Sequence, residues 1–231
     1  MMDLQGCTGT DQTTSRNLWR ENSIFLLVYL VLVIIAMVIL GFYGKADTHL
    51  FINRWHSPFF DRFFIAVTEL GNGWMVAIVL IPLLFIRYGY ALLHLANHLL
   101  ITLIVQLLKR LVFSGTLRPS AFFGDQAVLY TINGYPLHHY NSFPSGHAAT
   151  AFGIFMLLMI LARRPFIKTV WFLLAVITAW SRVYLSQHFL QDIVAGSFIG
   201  TVSIFWLFYL YQKWDPAGLR GSILRKREMK R

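Results

Sequence analysis

The hydrophobic positions of this chain fall in long unbroken runs rather than in stripes or alternations. Ile24–Tyr43 holds no charge and has the roughly 20 residues that a helix needs to cross about 30 Å of hydrocarbon. Leu70–Ile86 is shorter, and Pro82 is expected to kink it. Ala91–Leu108 carries His94, Asn97, His98 and Gln106, so one face should look into a bundle rather than at lipid. Pro144–Ala162, Pro165–Trp180 and Phe189–Tyr211 complete a set of six, with Lys168 expected to snorkel towards an interface. No stretch alternates with the period of two that marks a half-buried strand. The pattern predicts an all-α polytopic membrane protein, a six-transmembrane-helix bundle. Leu50–Val67 intersperses Phe51, Trp55, Phe59, Phe60, Phe63 and Phe64 with Arg54, Asp61 and Arg62. It reads as an interfacial amphipathic helix, compatible with a wall of the route by which lipid reaches a site.

Composition agrees. Of 231 residues 57% are hydrophobic and 13% charged, against about 25% charged in soluble domains. The chain divides into a polar N-terminal segment (1–22, expected to be mobile), a membrane domain (23–211) and a basic tail (212–231). No small-residue cleavage site follows the first run, which therefore reads as a retained helix rather than a signal peptide. Cys7 is the sole cysteine and forms no intrachain disulfide. With both termini in the cytoplasm, that side holds Arg16, Arg20, Arg87, Arg163, Arg164, Lys168 and the basic tail. The other side holds Lys45, Arg54, Arg62, Lys109, Arg110, Arg118 and Arg182. The positive-inside bias thus places both termini in the cytoplasm, and the loops Phe113–Phe143 and Arg182–His188 opposite. The net charge of +10 is concentrated in the tail, where it fixes topology and meets anionic headgroups. No nucleic-acid module accompanies it, so nucleic acid is not an expected partner.

Two short segments carry the chemistry. His188 and Asp192 stand i,i+4 at the start of a helix, so their side chains share one face. The carboxylate there accepts from one imidazole nitrogen and leaves the other unprotonated, as a nucleophile or general base requires. Pro144-Ser145-Gly146-His147 opens the fourth run: Ser145 is a preferred N-cap, Gly146 admits a ligand close to the backbone, and free amides there favour an anion. Arg118 and Arg182 offer planar forks that match phosphate oxygens, and Lys109 adds a point charge. Each part has a plainer reading on its own: a satisfied buried histidine, a helix cap, interfacial anchors. Together, at membrane depth where ionisable groups are costly and mark function, they describe phosphoryl transfer. His188 attacks phosphorus, Asp192 orients the imidazole, and His147 protonates the leaving oxygen and later activates water. Lys109, Arg118, Arg182 and the Ser145–Gly146 backbone offset charge on the equatorial oxygens, in the role that magnesium fills elsewhere. The expected cofactor is none, and no metal is needed.

At these residues the chain resembles the type 2 phosphatidic acid phosphatase superfamily, whose motifs are Lys-x6-Arg-Pro, Pro-Ser-Gly-His and Ser-Arg-x5-His-x3-Asp. The second is intact as Pro144-Ser145-Gly146-His147, and the third as Ser181-Arg182, His188 and Asp192. The first departs: Arg118-Pro119 is present, but Lys109 lies two residues too far upstream and Leu111 holds the expected position. Lys109 reaching across a longer loop is the preferred reading, with Arg110, or fewer cations, as alternatives. The resemblance spans about Leu50 to Tyr211. It implies a six-helix fold in the cell inner (cytoplasmic) membrane, with the site facing the periplasm or exterior. It also implies hydrolysis of a lipid phosphate or diphosphate: undecaprenyl diphosphate, phosphatidylglycerol phosphate, phosphatidic acid or a lipid A phosphate. The rivals are a membrane transporter, whose ionisable residues would spread along several spans, a vanadate-dependent peroxidase with the same site, and a degenerate relative that only binds phospholipid. Elsewhere, His94 and His98 have a zinc-compatible spacing but no third ligand, so hydrogen bonding inside the bundle is expected of them. His138 and His139 read as loop residues, and Asn141 and Ser142 as turn or cap residues.

Overall fold

A computed structural model describes residues 12–124, 129–214, 219 and 221–223, with side chains from residue 18 onward. The segment 1–11, including Cys7, and most of the basic tail lie outside the described residues. Those described form eight α-helices, one 3-10 turn and one wide π turn, with no strand among them.

Helix α1 (Gln12–Asn53) is longer than the first hydrophobic run at both ends and changes direction at Gly44, whose φ of 70° and ψ of 173° break the helical path. Leu18 and Asn22 are buried, so the end of the polar segment, from Leu18, is packed helix rather than a mobile lead-in. The expected amphipathic helix over Leu50–Val67 is divided. Its start ends α1, Arg54–Ser57 forms a turn, and α2 (Pro58–Thr68) begins anew. The cause is local: Pro58 has no N–H to continue a helix but suits its first turn, and the Ser57 hydroxyl accepts from Phe60 N at 3.4 Å. After a 3-10 turn (Glu69–Gly71), α3 (Gly73–Ile86) leaves at 61° to α2. The bend therefore sits at the extended Asn72, between Gly71 and Gly73. Pro82 lies inside α3 without ending it.

Helix α4 (Tyr88–Leu107) runs into the π turn Leu108–Val112, and α5 (Pro119–Phe123) is one short turn in the following loop. His94 is buried and its Nε2 donates to the Val76 carbonyl at 3.0 Å, the in-bundle role expected of it. At the centre stands α6 (Gly146–Leu161), apolar all round and buried over nearly its whole length, as a helix enclosed by others must be. It packs against α7 (Pro165–Tyr184) and α8 (Leu190–Trp214), with α4 beside it.

The contact between α6 and α8 depends on two glycines one turn apart. A Cβ on Gly196 would stand 2.3 Å from the Ser145 carbonyl oxygen, and one on Gly200 would stand 2.4 Å from that of Ala149. Hydrocarbon gives no solvent-driven force between spans, so close backbone approach at small residues is what lets them associate. Here it brings the start of α6 onto the first turn of α8, where Ser145 N donates to the Asp192 carbonyl at 2.9 Å.

Helix α7 extends four residues beyond the predicted run, so Ser181-Arg182 lies in its last turn rather than in a loop. Lys168 does not snorkel. Its side chain turns inward onto α1, where Nζ donates to Asn22 Oδ1 at 2.7 Å and to the Glu21 carbonyl at 3.3 Å. Asn22, one turn from the buried Leu18, makes the interior polar enough to hold it.

Four stretches are long and apolar enough to cross a membrane: Leu18–Asn53, Tyr88–Val112, Pro165–Tyr184 and Leu190–Trp214. The bent α2–α3 pair makes a fifth if counted as one span, and α6 is a shorter apolar helix. Outward-facing Ile24, Leu27, Leu30, Ile34 and Phe42 cover α1 with an apolar surface too broad for water. This is an all-helical membrane protein.

Candidate active site

Between α7 and α8 the chain reverses in five residues. Gln187 N and His188 N both donate to the Arg182 carbonyl, at 2.9 and 3.1 Å, folding the turn back onto the end of α7. Ser186 takes a positive φ of 52° there. Its hydroxyl meets His49 Nε2 at 3.2 Å and accepts from Asn53 Nδ2 at 3.1 Å, so the C-terminal end of α1 braces the turn.

The predicted i,i+4 pair is in place. His188 Nδ1 lies 3.4 Å from Asp192 Oδ2, in the first turn of α8. The same oxygen accepts from Phe189 N at 3.0 Å and from the Ser142 hydroxyl, which is itself 3.5 Å from His188 Nδ1. Nδ1 is thus committed to the protein, while no described residue hydrogen-bonds Nε2. Burial first, and then the charges of Arg118, Arg182 and Lys109, hold His188 well below the ordinary histidine value, so its imidazole is neutral at physiological pH.

Ser145 caps α6 as expected, its Oγ accepting from Ala148 N at 3.4 Å. His147 follows in the first turn, half-buried, with no hydrogen bond to its ring from a described residue. Arg182, His188, Arg118 and Lys109 all act on it electrostatically. A Cβ added to Gly146 would meet only Val105 Cγ1, at 3.7 Å. No protein atom demands glycine there, in contrast to Gly196 and Gly200.

The three cations arrive from separate elements. Arg118, just before α5, donates from Nε to the Tyr140 carbonyl at 3.0 Å and from Nη1 to Gln187 Oε1 at 3.1 Å and the Gln187 carbonyl at 3.2 Å. Burial, then the nearby Arg182, lowers it to about 10, so it stays charged at neutral pH. Arg182 Nη1 donates to Thr68 Oγ1 at 2.7 Å and to the Tyr135 hydroxyl at 3.5 Å, while its Nε is buried without a partner among the described residues. Lys109 projects from the π turn and makes no hydrogen bond or ion pair with a described residue. Its charge nevertheless acts on His188 and on His138 at the rim of the site.

That turn accounts for the irregular spacing of the first motif. Phe113 N bonds back to the Leu108 carbonyl at 2.8 Å, and Gly115 follows with a φ of 76°. The wider turn and the bend take up the two extra residues and still leave Lys109 inside the field of the site. Arg110 is exposed and is not among the charges acting on His188, and Leu111 points outward at 74% exposure.

All eight predicted residues, His188, His147, Asp192, Lys109, Arg118, Ser145, Gly146 and Arg182, therefore converge on one end of the bundle. Sequence reasoning missed several supporting groups. Ser142 is not a simple turn residue: it is buried and bonded to Asp192, and the turn itself belongs to Asn141, at a φ of 55°. Gln187, Thr68 and Tyr135 hold the two arginines. Gln187 could have been suspected from its place beside His188, but Thr68 and Tyr135 are distant in sequence and carry no local signal. His138 and His139 are exposed loop residues, as expected, with the His138 carbonyl accepting from Ser120 Oγ at 3.0 Å. The described residues contain no cluster of three or more His, Cys, Asp or Glu arranged to hold a metal ion.

A second histidine–aspartate pair lies behind the turn. His56 Nδ1 donates to Asp61 Oδ1 at 3.1 Å, and Asp61 also accepts from the hydroxyls of Tyr184 at 2.7 Å and Tyr130 at 2.8 Å. The His56 ring sits between those tyrosines, with centroids 4.1 Å from Tyr184 and 4.3 Å from Tyr130, and its Nε2 is 3.4 Å from Asn53 Nδ2. Asn53 is the residue that braces Ser186, so this network ties α1, α2 and the loop at Tyr130 to the turn carrying His188.

Comparison with known proteins follows the same residues. The profile of the PAP2 superfamily matches residues 87–216, a stretch containing every predicted site residue. The lipid A 4'-phosphatase of Bacteroides thetaiotaomicron is 35% identical over 178 residues, covering 73% of this chain and 77% of that protein. Among solved structures, Aquifex aeolicus LpxE superposes with a TM-score of 0.62 at 29% identity, covering 71% of this chain and 94% of its own. The first transmembrane PAP2-type phosphatidylglycerolphosphate phosphatase from Bacillus subtilis has a TM-score of 0.61 at 20% identity, covering 83% and 96%, and shares the fold. Motifs, helix order and relatives agree: this chain belongs to the PAP2 superfamily.

Proposed function

We propose that the protein is an integral membrane phosphatase that removes a phosphate from a lipid headgroup through a phosphohistidine, without a metal ion. The observation that carries this reading is the state of His188: Nδ1 is held by Asp192 and Ser142, no described residue bonds Nε2, and the charges of Arg118, Arg182 and Lys109 act on the ring. In the first step the Nε2 lone pair forms a bond to phosphorus as the bond to the leaving oxygen breaks. His147 gives that oxygen a proton, and the three cations with the first amides of α6 stabilise the added negative charge. In the second step His147, now neutral, takes a proton from water. The resulting nucleophile displaces His188 and releases inorganic phosphate.

Six membrane crossings follow if the α2–α3 pair counts as one and α6 as another. The distribution of Lys and Arg then favours cytoplasmic termini in the inner membrane, with the site facing the periplasm or exterior. A lipid substrate is supported by a cavity of about 660 Å³ against α1, lined by Ile39, Tyr43, Phe51 and Trp180. Leu190, two residues from His188 in sequence, is also in its wall. The identity to a lipid A 4'-phosphatase puts lipid A phosphate first among substrates, with phosphatidylglycerol phosphate, phosphatidic acid and undecaprenyl diphosphate behind it. The test is phosphate release by detergent-purified protein in EDTA, with the four lipids side by side and His188→Ala as the blank. Release by wild type alone supports the reading. Dependence on added magnesium, or equal release by the variant, contradicts it.

A further inference from the structure

We propose a second lipid site, for the headgroup of an anionic phosphodiester phospholipid, between α1 and α7 at the end of the bundle opposite His188. Lys168 and Arg182 bound the distance between the two ends: 14 residues of α7 separate them, or about 21 Å. A cavity of about 610 Å³ opens at the far end. Its wall is apolar, from Ile24, Val28 and Leu173, with exposed Arg163 and Thr169 at its mouth and buried Lys168 also in the lining.

Lys168 is the unusual group. Its side chain is buried, yet no described carboxylate lies within ion-pair distance. Asn22 Oδ1 and the Glu21 carbonyl take two of its three ammonium protons. A buried charge opposed only at longer range, by exposed Glu21, is expensive, and an external anion would offset that cost. The surrounding charges set the occupant's sign. Arg163 and Lys168 supply two positive charges among the lining residues and exposed Glu21 one negative, leaving an excess of one that matches a single phosphodiester. Arg164 and Arg20 flank the mouth in sequence. The shape sets the occupant's class: a charged mouth at a helix end above an apolar wall fits a phosphate with hydrocarbon attached, as basic pockets between spans do. A zwitterionic headgroup would bring its own cation against Arg163. The site uses none of the groups assigned to hydrolysis and is independent of that reading.

Native mass spectrometry of the delipidated full-length protein tests this, titrated with phosphatidylglycerol and with phosphatidylcholine of identical chains. The expected result is preferential retention of one phosphatidylglycerol, with Arg163→Glu weakening it about 25-fold, since each basic residue near a headgroup contributes about fivefold and reversal removes one such contribution and opposes another. Lys168→Gln should remove the preference. If that variant fails to fold, exposed Arg163→Glu carries the test alone. Equal retention of phosphatidylcholine would overturn the proposal, as would unchanged binding in Arg163→Glu, which would place the lipid at the His188 end. Glycerophosphate binding as tightly as the lipid would also overturn it, because the site would then read a free anion.

Discussion

Among the described residues stand two buried histidine–aspartate pairs, and on the proposed reading one is reactive and the other structural. In both, Nδ1 faces a carboxylate, at 3.4 Å for His188–Asp192 and 3.1 Å for His56–Asp61. Around His56 everything is closed: the carboxylate accepts two tyrosine hydroxyls, the ring lies between those tyrosines, and Nε2 faces Asn53. Around His188 the carboxylate side is closed but Nε2 is not, and the neighbours are cations rather than phenols. On the proposed reading, then, the tighter contact belongs to the structural pair, and the open nitrogen and neighbouring positive charge distinguish the reactive one.

Substitution should widen that contrast. His188→Ala should lower kcat by at least about 10³-fold, as loss of a nucleophile does, with the protein still folded by near-unchanged thermal unfolding. His56→Ala should do the reverse, keeping activity within about tenfold while lowering stability by about 1–3 kcal/mol, because Asp61 loses a buried partner. Comparable activity losses in the two variants would erase the distinction.

Next in size, Lys109→Met should reduce kcat/KM by about 10²-fold, the usual effect of removing one group that stabilises developing charge. Arg110→Met should change it less than about threefold, and the opposite order would reassign the first motif's cation. A further effect concerns packing. Gly196→Ala should cost about 1–3 kcal/mol by forcing α8 from the Ser145 carbonyl, and should lower activity with stability because the cap moves. Activity preserved at wild-type level would show that the glycine contact does not position the site.

The smallest expected change is in pH dependence. His188 is held below 6.5, so its neutral form favours folding fully above that value, and this contribution fades as pH falls towards the folded-state pKa. The acid limb of kcat/KM should accordingly lie below pH 6.5. Arg118→Gln removes one of the charges holding it down and should move the limb upward. Comparing the variants on one substrate cancels the substrate's own ionisation, and an unmoved limb would mean that His188 does not set it.

Much of this was legible in the chain because the signals are local. Hydrophobic runs mark the helices, the Ser145 cap marks the start of α6, and the i,i+4 spacing predicts the His188–Asp192 contact. What escaped depends on parts far apart. The pairing of Ser142 with Asp192 crosses 50 residues, and Thr68 reaches Arg182 across 114. The inward turn of Lys168 depends on Asn22, in a segment whose polar composition concealed a helix. The bend at Asn72 and the division of the Leu50–Val67 segment turn on single glycines and a Ser-Pro pair, which outweighed the amphipathic pattern around them.

Trapping the covalent intermediate would test the role of His188 at the reacting phosphorus. Wild-type protein is mixed with a labelled lipid phosphate, quenched in alkali within one turnover and digested for mass spectrometry under non-acidic conditions. Acid-labile phosphate is expected on the peptide carrying His188, absent from His188→Ala and never on the peptide carrying His56. Phosphate on another residue, or rapid hydrolysis by His188→Ala, would contradict it.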